Sequence, residues 1–185
     1  MIQKYKFEEI ADIFTGVRVK RYQDGITHKE RILKKTYSDN SSKLDVEDVE
    51  VTDDISEKFF SRKNDIVILL AGSKVSKIEE EGIIIPMYYA IVRVKKGFDV
   101  DFIFHILKSD LFPRELHKIE EGSTLKIIKT THLKSINIAL PDYETQKNYG
   151  KLFNLMDKRI NLNLELVELE RSIEKSIIHE VLSKG

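Results

Sequence analysis

The chain has 185 residues, 41% of them hydrophobic, no cysteine, and 31 basic side chains balanced by 31 acidic ones. That length suits one domain, or one domain with an appended element, and that apolar share excludes wholesale disorder. The missing cysteines remove disulfide scaffolds, thiolate zinc sites and cysteine nucleophiles together, and the balanced charge removes a uniformly basic nucleic-acid coat.

In chain order, "KYKFEEIADIFTG" opens as a strand or short helix closed by Gly16, and it holds no apolar core of signal-peptide length. "VRVKRYQDG" alternates Val17 and Val19 with Arg18 and Lys20, which predicts a half-buried strand running into a Gln-Asp-Gly turn. "SDNSS", Ser38 to Ser42, is a loop by composition. Residues 45–57, "DVEDVEVTDDISE", hold seven acids and no base, and alternating Val46, Val49 and Val51 predict a solvated strand face or loop. Ile66 to Leu70 is a buried strand, "AGSKVSK" a flexible segment, and Tyr88 to Val94 a further strand after the stop at Pro86. Helical spacing through Phe102, Ile106 and Leu107 predicts a helix with Asp99 or Asp101 at its start. A turn and short strand at "GSTLKIIK", a brief helical piece at "TTHLKS" and a last strand "INIAL" lead to Pro141.

Beyond Pro141 apolar residues recur at steps of three and four. Tyr149, Phe153, Met156, Ile160, Leu164 and Val167 form one register, and Leu162, Leu166, Leu169, Ile173, Ile177 and Val181 a second, which predicts one long helix with a broad apolar face and Asp142 as its N-cap. Forty residues of helix span about 60 Å, against the ~30 Å of a small domain, so part of the helix must project and find a partner helix. No window approaches eighteen consecutive apolar residues, so no membrane span is expected and the chain is expected in the cytoplasm.

The segments "RKNDIVILLAGS", "PMYYAIVRVKKG" and "GSTLKIIKTTHLKSINIALPDYETQKNYGKLFNLMDKRI" together resemble the specificity subunit of type I restriction-modification systems over nearly the whole chain. The likeness is sharpest at Gly122, Ser123, Thr124, Leu140, Pro141, Glu144 and Gln146, followed by Leu155 to Ile160. Asn64 departs from it, standing where the family commonly has glycine, but asparagine tolerates positive φ, so the turn is expected to survive. The resemblance implies a mixed α/β target-recognition domain that reads one half of a split DNA target. It also implies helices that pair antiparallel and dock methyltransferase subunits. Full members carry two such domains and two such helices, so this sequence resembles a half-length form that would act as a homodimer.

The chemistry of an enzyme is missing. Methyl transfer needs an amide-Pro-Pro-aromatic segment, and the prolines stand singly at 86, 113 and 141. No carboxylate stands two residues before a lysine, as a common nuclease metal site requires, and there is no GxxxxGK[ST] phosphate loop. His28, His105, His117, His132 and His179 show no metal-ligand spacing. No catalytic residue, cofactor or metal is expected.

Base reading needs Arg, Lys, Asn or Gln at base edges and cations on phosphates. The candidates are Arg18, Lys20, Arg21, Tyr22 and Gln23 in the first basic stretch, and Lys74 and Lys77 in "AGSKVSK". Ser123, Thr124, Lys126, Lys129 and His132 in "GSTLKIIKTTH" complete the set. Candidates for dimerisation are Phe153, Met156, Ile160, Leu164, Val167, Leu169, Ile173 and Ile177.

The sequence therefore predicts an α/β (α+β) target-recognition domain at residues 1–141 and a long dimerisation and spacer helix, a coiled-coil element, at 142–185. Its expected function is that of a non-catalytic specificity subunit. It would bind double-stranded DNA as a homodimer on an inverted-repeat target and direct methyltransferase subunits, with a restriction or translocating subunit where the system has one. The rival reading is a coiled-coil adaptor or remnant half subunit that no longer reads DNA.

Overall fold

The computed structural model describes residues 2–35, 45–119 and 128–183. The opening segment becomes both of its expected alternatives: strand β1 (Gln3–Lys6), one turn of helix α1 (Phe7–Ile10) and strand β2 (Ala11–Thr15). Strands β3 (His28–Leu33) and β4 (Val46–Val51) follow, then β5 (Ile66–Leu69), β6 (Val75–Lys77) and β7 (Tyr89–Val94). Helices α2 (Val100–Lys108), α3 (Leu111–Ile119) and α4 (Thr130–Ser135) precede β8 (Asn137–Leu140) and the long helix α5 (Tyr143–Ser183). A mixed α/β head thus carries a long C-terminal helix, as the sequence predicts.

The centre of the head is a four-stranded antiparallel sheet in the order β2-β7-β5-β6. Ile66, Ile68, Ala90 and Val92 point to one face and pack with Phe7, Ile10, Ile103, Leu107, Leu116 and Leu133 from α1 to α4. Val67, Leu69, Tyr89 and Ile91 point to the other face, against Leu33, Ile78, Ile83 and Ile85. Burial on both faces explains why Ile66–Leu69 is a continuous apolar run without alternation. Segment Ile83–Pro86 splices the two halves of the head: Ile84 N–H donates to Arg31 C=O at 2.8 Å, and Val17 N–H to Ile85 C=O at 2.8 Å. Chain and splice approach so closely that a Cβ on Gly16 would overlap the Ile85 and Pro86 carbonyl oxygens, so only glycine fits there. Asn64 holds φ at 69°, the left-handed turn expected of it.

Two local expectations are corrected, and the helix expected after Asp99 is followed by a further one. Residues Val19–Tyr22 form a 3-10 turn, not a strand, because Val19 and Tyr22, three apart, both tuck onto the small core of Val17, Ile32, Val51 and Ile55. The segment expected to be flexible contains β6, held by backbone pairing of Val67 with Ser76 and Ile68 with Val75. The helix after Asp99 breaks at Ser109–Asp110 and restarts as α3, with Pro113 in the first turn, where a missing N–H costs nothing. The loop Ser38 to Ser42 and most of "GSTLKIIK" lie outside the described residues.

Strands β1 and β8 pair antiparallel, Tyr5 opposite Ile138, and so bring the start of the chain to the base of α5. There Asp142 Oδ1 accepts from Thr145 N–H at 3.0 Å as the N-cap of α5. That hydrogen bond, with a second from the Thr145 hydroxyl, holds the Asp142 carboxyl below its ordinary pKa.

Candidate nucleic-acid interface and helix joint

The acidic run and the first basic stretch meet in space. Strand β4 lies antiparallel to β3, which sets Glu50 opposite Lys29 and Asp48 opposite Arg31. Lys34 Nζ reaches Glu47 at 3.3 Å, and Arg31 also pairs with Glu80 at 2.6 Å. The acidic segment is therefore a strand whose carboxylates face the cations of its neighbour, and cross-strand pairing of this kind contributes a few tenths of a kcal/mol per pair. Signal for β3 was present in "HKERIL", but alternation there is charge against charge and only the partner strand gives it meaning.

The structure divides the candidate DNA-binding residues into separate groups. Arg18, Lys20, Arg21 and Gln23 stand exposed on the 3-10 turn, while Tyr22 is half-buried and its carbonyl accepts from Thr52 N–H at 2.8 Å. Lys129 occupies the N-cap position of α4 and is exposed; His132 is half-buried within α4. Helix α4 packs against α1, which enters β2, whereas the 3-10 turn follows the exit of β2, so these two groups sit at the two ends of that strand. Ser123, Thr124 and Lys126, like Gly122, lie outside the described residues.

Lys77 does a different job from the one its sequence context suggests. Its side chain is 16% exposed, and its ammonium bonds Asp101 at 2.5 Å and Glu79 at 3.5 Å and so ties β6 to α2. Burial works to lower its pKa, but the hydrogen bond and charge of Asp101, with Glu79, outweigh it and hold the group above the ordinary lysine value. Lys74 stands at the wall of an open groove of ≈ 1140 Å³ between β6, α2 and α5, where Phe104, Lys108, Lys158, Ile160 and Leu164 also contribute.

The joint between head and helix uses residues that the sequence marks only weakly. Gln146, buried to 2% exposure, accepts from Asp99 N–H at 3.1 Å through Oε1 and donates to Pro141 C=O at 2.8 Å through Nε2. One turn on, Gly150 lets α5 lie against the start of α2: a Cβ there would overlap Asp99 Oδ1 and stand 3.0 Å from Phe102 N. Phe153 then stacks on Phe102 with ring centroids 6.2 Å apart, His105 Nε2 and Asn154 Oδ1 lie 3.1 Å apart, and Lys108 pairs with Asp157 at 2.7 Å. Phe153 is thus a joint residue, a correction to its place among the dimerisation candidates: its half-buried ring faces α2. A second buried pair stiffens the head, with the Arg93 guanidinium on Asp65 at 3.1 Å, on Phe60 C=O at 2.8 Å, and 5.2 Å over the Phe14 ring.

From Lys158 to Ser183 every residue of α5 is exposed. Ile160, Leu164 and Val167 are 42–58% exposed, and Leu162, Leu166 and Leu169 are 53–62% exposed. Each member of the second trio stands two residues after a member of the first, and a two-residue step on an α-helix turns roughly 200°. The expected single broad face is therefore two apolar stripes on nearly opposite sides of the rod. Among the described residues no cluster of three or more His, Asp or Glu side chains is placed to hold a metal ion, and no helix is long and apolar enough to cross a membrane.

A mixed α/β head whose last strand feeds a projecting helix is the architecture that the sequence resemblance implies, and comparison with solved structures gives that class. The fold matches the HsdS subunit of Thermoanaerobacter tengcongensis with a TM-score of 0.64 at 13% identity, over 86% of this chain and 43% of that one. It matches a chain from a study of complex assembly and conformational transition in a type I R-M system with a TM-score of 0.69 at 13% identity, over 94% of this chain and 46% of that one. The type I restriction-modification S subunit of M. genitalium gives 0.59 at 17% identity, over 93% and 43%. In sequence the chain is 27% identical over 131 residues to the specificity subunit of the type I restriction enzyme MjaVIII of Methanocaldococcus jannaschii, which covers 66% of this chain and 31% of that protein. No family model matches the chain. The chain is thus similar in sequence to one type I restriction specificity subunit, shares the fold of others, and spans about a third to under half of their length.

Proposed function

We propose that this protein is a non-catalytic specificity subunit that reads one DNA half-site per head and works as a two-fold dimer, directing methyltransferase subunits and a nuclease where one is present. The observation that carries the reading is the rod: some 25 residues of exposed helix, apolar on two sides, attached to a head that resembles specificity subunits in sequence and fold. A helix that is apolar on both sides needs two neighbours, because covering one stripe leaves the other in water. A second copy of this chain takes one stripe and places two heads on one duplex; a methyltransferase subunit takes the other. Two-fold symmetry of the protein then requires an inverted-repeat target with an unread spacer.

Within the head, the exposed cations Arg18, Lys20 and Arg21 with Gln23 are the favoured reading group, because they stand together on one 3-10 turn. Lys74, Lys129 and His132, with Ser123, Thr124 and Lys126, are assigned supporting contacts, and Lys77 holds the fold. The β3–β4 pairing cancels cations nearby, so affinity rests on few phosphate contacts and falls less steeply with salt than for a basic protein. A DNA target places the protein in the cytoplasm.

Selection from random duplexes tests the reading. Enrichment of an inverted repeat with a fixed spacer is expected, and loss of that enrichment on changing Arg18 and Arg21 to Ala assigns the reading turn. No enrichment, with the protein dimeric, would favour the adaptor that has lost DNA reading.

A further inference from the structure

We infer that the twin helix binds the stripe Leu162–Leu166–Leu169–Ile173, antiparallel, with the two-fold axis between Val167 and Glu168. This rests on the dimer proposed above, takes the antiparallel direction that the resemblance implies, and goes further by assigning its face and register. A two-fold contact is self-complementary, so the residue that meets a partner must itself be met in turn. The steps 162→166→169→173 are four, three and four, the same read from either end. Laid antiparallel about its midpoint, this seam puts Leu162 on the partner's Ile173 and Leu166 on the partner's Leu169, with no charge inside. All four side chains are 53–62% exposed. The opposite stripe lacks this property, since Ile160, Leu164 and Val167 continue at helical spacing into Arg171 and Glu174, and pairing it with itself would bury those charges. The groove beside the head is bordered by Ile160 and Leu164 of that stripe and by Leu162 of the seam, so the choice of face rests on the charges.

Charge agrees with that direction. Glu165 and Glu170 flank the seam, and in a parallel pair they would face one another twice, with Arg159 on Arg159 and Glu180 on Glu180 at the ends. In the antiparallel register Glu165 meets the partner's Ser172, Glu170 meets the partner's Asn163, and Arg159 comes within reach of the partner's Glu180. The register also sets the heads' spacing. Asp157, the last residue held by α2, is ten to eleven residues from the axis, so the two copies of Asp157 lie roughly 30 Å apart at ~1.5 Å rise per residue. That is close to the ~34 Å turn of duplex DNA.

Single cysteines test this cleanly, because the natural chain has none. Leu162→Cys and Ile173→Cys chains, mixed and treated with a short bifunctional maleimide, are expected to give a cross-linked dimer that neither chain gives alone. Cross-linking of Leu162→Cys with itself would overturn the antiparallel direction. Cross-linking in a Leu164→Cys with Val167→Cys mixture instead, or none in any mixture of dimeric protein, would overturn the face and register while leaving the dimer standing. A monomeric mass for the unmodified chain would remove the twin itself and the inference with it.

Discussion

Ile66–Leu69 and Leu162–Ile173 are built from the same kinds of side chain and meet opposite fates. In the sheet, Ile66, Val67, Ile68 and Leu69 are at most 2% exposed; on the rod, Leu162, Leu166, Leu169 and Ile173 are more than half exposed. The difference lies in neighbours rather than in hydrophobicity. Each described strand of the head finds its partner within the chain, whereas every described residue of α5 beyond Asp157 is exposed. The head is a closed core, and the rod carries the same kinds of apolar side chain out into solvent.

Substitutions should divide along that line. The largest loss is expected on the head side from Arg93→Met, which strands the buried Asp65 carboxylate and costs about 3–5 kcal/mol in denaturant unfolding. Ile91→Ala, which opens a cavity between β5, β7 and the Ile83–Ile85 segment, costs about 2–5 kcal/mol. Gln146→Ala attacks the boundary itself. It leaves Asp99 N–H and Pro141 C=O unpaired and is expected to cost about 1–3 kcal/mol, with fraying of the first turns of α5 seen by hydrogen exchange. On the rod, Leu169→Glu should leave the melting of the head unchanged and abolish the dimer. An equal loss of head stability from that change would mean the rod folds back on the head.

The smallest effect concerns pH at the N-cap. The folded Asp142 carboxyl titrates below its unfolded value, so its contribution is present above the unfolded carboxylate pKa of ~3.9 and fades as pH falls through the lower folded value. Helix content followed from pH 5 downward should hold near pH 4 and drop only below it, and Asp142→Asn should flatten that drop.

The sequence made the head's architecture legible where one residue run carries its own signal. The run at Ile66, the Asp99 cap and the helix after Pro141 are all of this kind. What stayed hidden depends on distant partners. "VRVKRY" shows a period of two but is folded by a contact of period three with the β3–β4 core, and "KVSK" becomes a strand only because β5 lies beside it. The acidic run carries no sign of the basic strand that it neutralises. Of the proposed reading group, the turn at Arg18–Gln23 was visible as composition. Lys77 was not separable from it, because an ammonium committed to Asp101 and a free one have the same letter in sequence.

The central claim is that the rod is completed by a second copy of the chain. Light scattering at micromolar protein measures this directly: the account predicts twice the 21.6 kDa mass of one chain, reverting to one on Leu166→Glu. A mass of 21.6 kDa for the unmodified protein would contradict it.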